Sequence, residues 1–188
     1  MNIRRYLAAL GCAAGLLLPA SLPAQQSDHN DAFVPGSPSE NRILHEVRHE
    51  LVMLPYYTVF DDLAFRVNGS TVTLLGAVTN PVLKSDAEHA AKRVEGVTQV
   101  INNIEVLPLS PMDSQIRRAM FRTIYGDATI GDRYGHQALP SIHIIVKNGN
   151  VTLEGVVGSD FDKNLINVRA NSVPNVFHVT NNLQVVKS

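Results

Sequence analysis

The chain has 188 residues, 45% hydrophobic and 18% charged. That hydrophobic share is too high for a disordered chain and normal for a folded one. Lys plus Arg number 16 and Asp plus Glu 17, a net charge of −1, so the basic excess that grips a nucleic-acid backbone is missing. The single cysteine excludes a disulfide framework within the chain and a Cys-rich zinc site.

The N-terminus reads as an export signal. Arg4 and Arg5 precede an apolar run from Leu7 to Leu18, Pro19 breaks it, and small residues lead to Ala24. Basic start, apolar core and small-residue end are the order of a secretory signal, and the run falls short of the ~20 apolar residues that span a bilayer. We place the signal at 1–24, with cleavage after Ala24 and Ala20 as the second choice. Removing both arginines takes the net charge from −1 to −3. Ala9-Leu10-Gly11-Cys12 resembles a lipoprotein cleavage box, but the residues two and three before Cys12 are swapped in character and apolar residues continue past it. That favours a cysteine inside the signal core over a lipid-modified one. Residues 25–39 are polar and broken by Pro35, Gly36 and Pro38, the composition of a disordered linker. No later segment is apolar enough to span a membrane.

The remainder is one unit written twice, and a repeat decides the fold. Asn68-Gly69-Ser70-Thr71-Val72-Thr73-Leu74-Leu75-Gly76 returns as Asn148-Gly149-Asn150-Val151-Thr152-Leu153-Glu154-Gly155. Gly96-Val97 with Val100-Ile101-Asn102-Asn103-Ile104 returns as Asn175-Val176 with Val179-Thr180-Asn181-Asn182-Leu183, 79 residues later. Upstream, Ile43, Val47 and Leu51 align with Ile116, Met120 and Ile124 at an offset of 73. The second copy therefore carries about seven extra residues within 126–141.

Each copy reads helix, strand, strand, helix, strand. In 40–54, Ile43, Leu44, Val47, Leu51 and Leu54 form one helical stripe, ended by Pro55. Residues 63–67 alternate as a strand, Asn68-Gly69 turns it, and 72–78 returns. Asn80-Pro81 caps a helix with an Ala87, Ala90, Ala91, Val94 stripe, Gly96 stops it, and 97–107 is the last strand. In the second copy Ser110-Pro111 opens a helix to Tyr125, 142–146 and 151–157 form the hairpin, Ser159 starts a helix that ends before Pro174, and 176–186 closes the sheet. The fold class is α/β, an α+β sandwich: two tandem αββαβ domains, 40–107 and 110–187, each a small three-stranded sheet packed by two helices. Gly76 and Gly155, near strand ends, mark a bulge or a close backbone approach, read here as a tight crossing of the second helix. Asn102-Asn103 and Asn181-Asn182 suggest side-chain bonds to nearby backbone.

The pattern G-x-V-x-L-x-G-x-V, a helix, then G-V-x-x-V-x-N-x-L/I-x-V resembles the BON domain, in both copies. The structural positions it marks are Gly69, Gly76, Gly96, Asn102, Asn103, Gly149, Gly155, Asn181 and Asn182; Pro174-Asn175 stands where the family often has Pro-Gly. The resemblance implies a small α/β sandwich, an exported or periplasmic protein, no catalysis, and a role in binding phospholipid or envelope partners; some relatives respond to osmotic stress.

His45-Glu46-Val47-Arg48-His49 matches H-E-x-x-H, in which two histidines on one helical face hold zinc and the glutamate activates water. At about 100° per residue both histidines lie about 160° from Val47, on the face opposite the core, and the aligned positions of the second copy are Arg118 and Arg122. Nothing in the pattern brings Glu88 or His89 there as a third ligand. We expect no metal, no cofactor and no catalytic residues. The helix opening the second copy draws more interest: with Ile116, Ala119, Met120, Thr123 and Ile124 inward, Arg117, Arg118, Phe121 and Arg122 fall outward as candidate lipid contacts, cations for anionic headgroups beside an aromatic. Phe121 covered by the first domain is the competing reading. The predicted role is a non-enzymatic envelope-binding module that contacts an anionic membrane surface; the alternative is a protein–protein scaffold of the envelope.

Overall fold

A computed structural model describes residues 30–32, 41–137 and 139–186. The expected signal, Cys12 and the cleavage point lie outside them, as does most of the expected linker. The first domain comprises α1 (Arg42–Val52), β2 (Asp62–Asn68), β3 (Thr71–Val78), α2 (Pro81–Arg93), β4 (Gln99–Asn102) and β5 (Glu105–Val106), preceded by β1 (Asn30–Asp31). The second comprises α3 (Pro111–Tyr125), α4 (Ala128–Tyr134), β6 (Ile142–Lys147), β7 (Asn150–Val157), α5 (Asp160–Asn171), β8 (His178–Asn181) and β9 (Gln184–Val185).

Local chemistry sets the helix ends. Asn41, Asn80, Ser110 and Ser159 each accept a first-turn backbone N–H on the side chain, removing one of the orphan donors every helix start carries. Pro81 and Pro111 stand in the first turn, where the missing N–H costs nothing. In each domain an antiparallel hairpin, β2–β3 or β6–β7, is extended by a parallel strand on its second member, giving orders β1-β2-β3-β4 and β6-β7-β8. The last strand is divided in both copies, β4 from β5 and β8 from β9. The asparagines divide it: Asn102 Nδ2 donates to the Lys84 carbonyl and its Oδ1 accepts Ile104 N–H, while Asn181 does the same with Lys163 and Leu183. Asn103 and Asn182 return N–H bonds to the Leu74 and Leu153 carbonyls, each 2.9 Å, so the ladder resumes after the step.

Each hairpin and its helices enclose a separate core. Val47, Leu51, Leu63, Phe65, Leu74, Leu83 and Ile104 fill the first, and Ile116, Met120, Ile124, Ile142, Ile144, Leu153 and Leu183 the second. The extra residues of the second copy hold α4, which buries Ile130. It also brings Arg133 and Tyr134 onto the Asp162 carboxylate of α5 at 2.7–2.9 Å.

Two findings depart from the sequence reading. Gly76 (φ +102) and Gly155 (φ +123) are crowded by the hairpin's own first strand, not by a helix: a Cβ there would overlap the Asp62 or Ser141 carbonyl. Residues 30–32 of the expected linker are ordered along β2, because Ala32 N–H donates to the Leu63 carbonyl at 2.8 Å and Arg48 Nη1 to the Asp31 carbonyl at 2.6 Å. The Asn-Gly turns hold Gly69 (φ +60) and Gly149 (φ +75) in the left-handed region. Asn175 (φ +66) takes the place of Gly96 (φ +92), since asparagine tolerates that conformation best among side-chain-bearing residues.

Replacing Gly155 by Ala is expected to lower stability by about 3 kcal/mol, left-handed strain plus backbone overlap. Gly69→Ala, where a Cβ meets nothing within 4 Å, should lower it by only about 1 kcal/mol. Urea unfolding of the two variants checks the difference.

Candidate binding surfaces

The two domains meet along the outer edge of β6. Asp61 fixes the segment before β2: its carboxylate accepts N–H and hydroxyl bonds from both Thr58 and Thr79 at 2.6–3.0 Å. This leaves the carbonyls of Val59 and Asp61 facing the second domain. Ile144 N–H donates to Val59 at 2.7 Å. His143 Nδ1 lies 2.7 Å from the Asp61 carbonyl, which only an Nδ1–H tautomer satisfies. Tyr57 stacks on the His143 ring at 5.4 Å, and Phe60 meets Phe121 edge-on at 6.2 Å. Gln184 Nε2 reaches Asp31 Oδ2 at 2.9 Å, and Lys147 pairs with Glu105 at 2.6 Å.

Titratable groups gather in this seam. Burial, then the charges of Glu154 and Asp31, raises the Asp62 carboxyl well above the carboxylate range. Burial raises Glu154 as well. His143, fully buried, is pulled down to about 4 by burial. Among the described residues no group of three His, Cys, Asp or Glu side chains is placed to hold a metal ion.

The sequence-predicted lipid contacts divide. Arg118 and Arg122 lie on the outer face of α3, exposed. Arg117 does not: it is 8% exposed and Nη2 donates to the Val146 carbonyl at 2.7 Å, closing the β6 edge beside Val59. Burial lowers its pKa, which Asp113 and Asp61 partly restore. Its repeat partner, 73 residues earlier, is Leu44, a member of the inward stripe, and that alignment is the signal that could have placed it. Phe121 is 40% exposed and packs on Phe60 and on Tyr125 at 5.1 Å, the arrangement in which the first domain covers it. Its repeat partner is Arg48, which lies over the Phe65 ring at 5.5 Å and holds β1. Both positions grip whatever covers the edge of their hairpin.

The repeat also produces two equivalent grooves, each between the first helix of a domain and the end of its second. In the first domain His45, Glu46, His49, Glu50, Arg93 and Glu95 line it. The two histidines are exposed, as the helical wheel predicts. Glu46 pairs with Arg42 at 2.8 Å and Glu50 with Arg93 at 3.2 Å, so the glutamate of the H-E-x-x-H match is held by a guanidinium. Glu88 is engaged by Lys92 and Asn102. The groove of the second domain, about 270 Å³, is lined by Met112, Gln115, Ile116, Arg118, Ala119, Arg122, Pro174 and Asn175. It holds two cations and no carboxylate, with Met112, Ile116 and Ala119 among its lining; sequence reasoning found the arginines but not Met112 or the Pro174-Asn175 wall.

Two mixed α+β sandwiches in tandem, each with a groove on its helical side, make up the described residues, and no helix among them is long and apolar enough to cross a membrane. The BON domain model matches residues 59–108 and 130–187, more than half of the chain, and the chain belongs to that family. BON domains are generally non-catalytic and occur in periplasmic or envelope proteins. Comparison with curated proteins finds no match. Among solved structures, CdsD, a structural protein of the type III secretion system of Chlamydia trachomatis, is 14% identical, covering 79% of this chain and 94% of its own, with a TM-score of 0.30. Its C-terminal domain is 12% identical over 78% and 98%, with a TM-score of 0.31. Likeness that low says nothing about what this chain does.

The seam yields a pH prediction. His143 stays neutral in the fold down to about 4, whereas the unfolded histidine takes up a proton near 6.5. Its contribution to stability is therefore complete above about pH 6.5 and lost as pH falls toward 4. Asp62, raised, acts in the opposite sense: the fold favours its protonated form, so its contribution is present at low pH and lost as pH rises through the raised pKa. Between about pH 7.5 and 4.5 the wild type should lose about 2 kcal/mol more stability than His143→Asn, which keeps a donor for Asp61 but does not titrate. Denaturant unfolding at both pH values measures it.

Proposed function

We propose that this protein is a non-enzymatic binding module of the cell envelope whose second domain contacts anionic phospholipid. The observation that carries this reading is the contrast between the equivalent grooves. Where the first domain has His45 and His49 with Arg93 set among Glu46, Glu50 and Glu95, the second presents Arg118 and Arg122 with no carboxylate in the lining. Arginine stays charged at any physiological pH and forks onto phosphate oxygens. Each cation near an anionic surface contributes about 1 kcal/mol, so the two give about 2 kcal/mol before screening, a roughly thirtyfold preference. That is weak, salt-sensitive association and not permanent anchoring. The reading keeps export to the periplasm as its setting and a role in envelope protection as its use. With a net charge of −3 after signal removal, the rest of the surface opposes approach, which orients the molecule groove-first.

Co-sedimentation of the protein with phosphatidylglycerol vesicles tests this. Binding at low salt, lost with Arg118→Ser plus Arg122→Ser and absent on neutral phosphatidylcholine, is the expected result. Equal sedimentation of wild type and double variant, or none by either, would transfer the role to a protein scaffold.

A further inference from the structure

The lipid-contact reading leaves open what enters the bilayer, and Phe121 is the aromatic the sequence offers for it. Its ring is held between Phe60 and Tyr125 in the seam between domains, so moving it outward would break one of the contacts that join them. The end of the second domain beside the arginine groove offers different apolar groups. Met112, in the first turn of α3, is 51% exposed, and Phe177, in the loop between α5 and β8, is 79% exposed.

A short chain of contacts places these two at the same end of the domain. The Asp113 carboxylate, next to Met112, turns inward and accepts N–H bonds from Asn148 and Gly149 at 2.9 and 2.8 Å. Phe177 N–H donates to the Gly149 carbonyl at 2.9 Å, and its ring lies so close over Gly149 that a Cβ there would meet it at 2.7 Å. Asn175, two residues before Phe177, shares the groove with Met112, Arg118 and Arg122. The β6–β7 turn thus props up a large exposed ring without burying it. Phe161 of α5 is also 66% exposed, but it stands at the far end: Arg133 and Tyr134, beyond the C-terminus of α3, hold the neighbouring Asp162 there.

The first domain lacks this arrangement. The repeat partner of Phe177 is Thr98, whose hydroxyl bonds that of Ser70 at 2.8 Å, and the partner of Met112 is Ser39. Among the described residues, exposed apolar side chains and carboxylate-free arginines therefore occur together in the groove of the second domain and not in that of the first. A protein groove partner would need to supply acidic and apolar groups in one place; an anionic bilayer presents a phosphate layer directly above its acyl chains, in the same order as Arg118 and Arg122 beside Met112 and Phe177. Large aromatic side chains are the ones that settle at that boundary.

We infer that the second domain docks end-on to an anionic bilayer, inserting Phe177 and Met112 beneath the headgroups that Arg118 and Arg122 hold, while Phe121 stays in the domain seam. This rests on the lipid-contact reading above. The chain has no tryptophan, so a single one reports its own surroundings. Full-length Phe177→Trp and Phe121→Trp are mixed with phosphatidylglycerol vesicles whose acyl chains carry bromine, and binding is measured on the same samples by sedimentation. The indole emission of Phe177→Trp should shift to the blue and be quenched on these vesicles, and be unaffected by brominated phosphatidylcholine; that of Phe121→Trp should show neither change. Met112→Ser plus Phe177→Ser, with both arginines intact, should weaken vesicle binding by at least about tenfold, since even partial burial of two large apolar side chains exceeds that. Sedimentation of Phe177→Trp without quenching, or equal quenching of Phe121→Trp, overturns the end-on insertion and leaves the arginine contact standing. No sedimentation by any variant that unfolds cooperatively like the wild type overturns both.

Discussion

An uncovered strand edge is a row of unpaired N–H and C=O groups, and a hairpin extended on one side only must deal with the other. Both domains face this constraint, because β4 and β8 add to the second strand of each hairpin and leave β2 and β6 at the rim. They meet it with different pieces of chain. The edge of β2 takes β1, secured by Arg48. The edge of β6 takes the 57–61 segment of the first domain at Val59 and Arg117 at Val146. Covering the second edge is what joins the two domains, and it decides which surfaces remain for anything else.

The consequences run through the divergence of the repeat. Once the helix face beside β6 is occupied, Phe121 packs on Phe60, and Arg117 closes a carbonyl where Leu44 merely fills space. His143 and Ile145, on the sheet face away from the second core, are buried, which neutralises a histidine and brings Asp62 and Glu154 into a region of low polarity. The outward side of α3 and the neighbouring loop are left over, and there the second copy departs from the first toward arginine, methionine and phenylalanine. The proposed contact with lipid follows from which surface the seam leaves unused.

The elements were legible in the sequence because their signals are local. Asn80-Pro81 and Ser110-Pro111 state helix starts by their own hydrogen bonding, Asn68-Gly69 states its turn, and the doubled pattern states the tandem arrangement. Features that depend on contacts between distant segments were not legible in the same way. The wheel that put Arg117 outward treats α3 as a helix with one partner, while the structure gives it two. Residues 30–32 carry no strand periodicity, and their order comes from an edge that needs a cover. Gly76 and Gly155 announced a close approach but not its source, since a glycine reports only that a side chain cannot fit. Phe177 sits in a run that reads as strand, where alternate exposure is ordinary, and only its height above the Asn148-Gly149 turn sets it apart.

A closed seam leaves the arginine end of the second domain as the proposed working surface. Backbone amide resonances of the protein titrated with anionic phosphatidylglycerol vesicles would test this residue by residue. Perturbation should gather at Met112, Arg118, Arg122, Asn175 and Phe177, with the Ile144 amide still protected from solvent exchange by its bond to Val59. Perturbation centred on Phe60, Phe121 and His143, with Ile144 released to exchange, would contradict it by placing the working surface inside the seam.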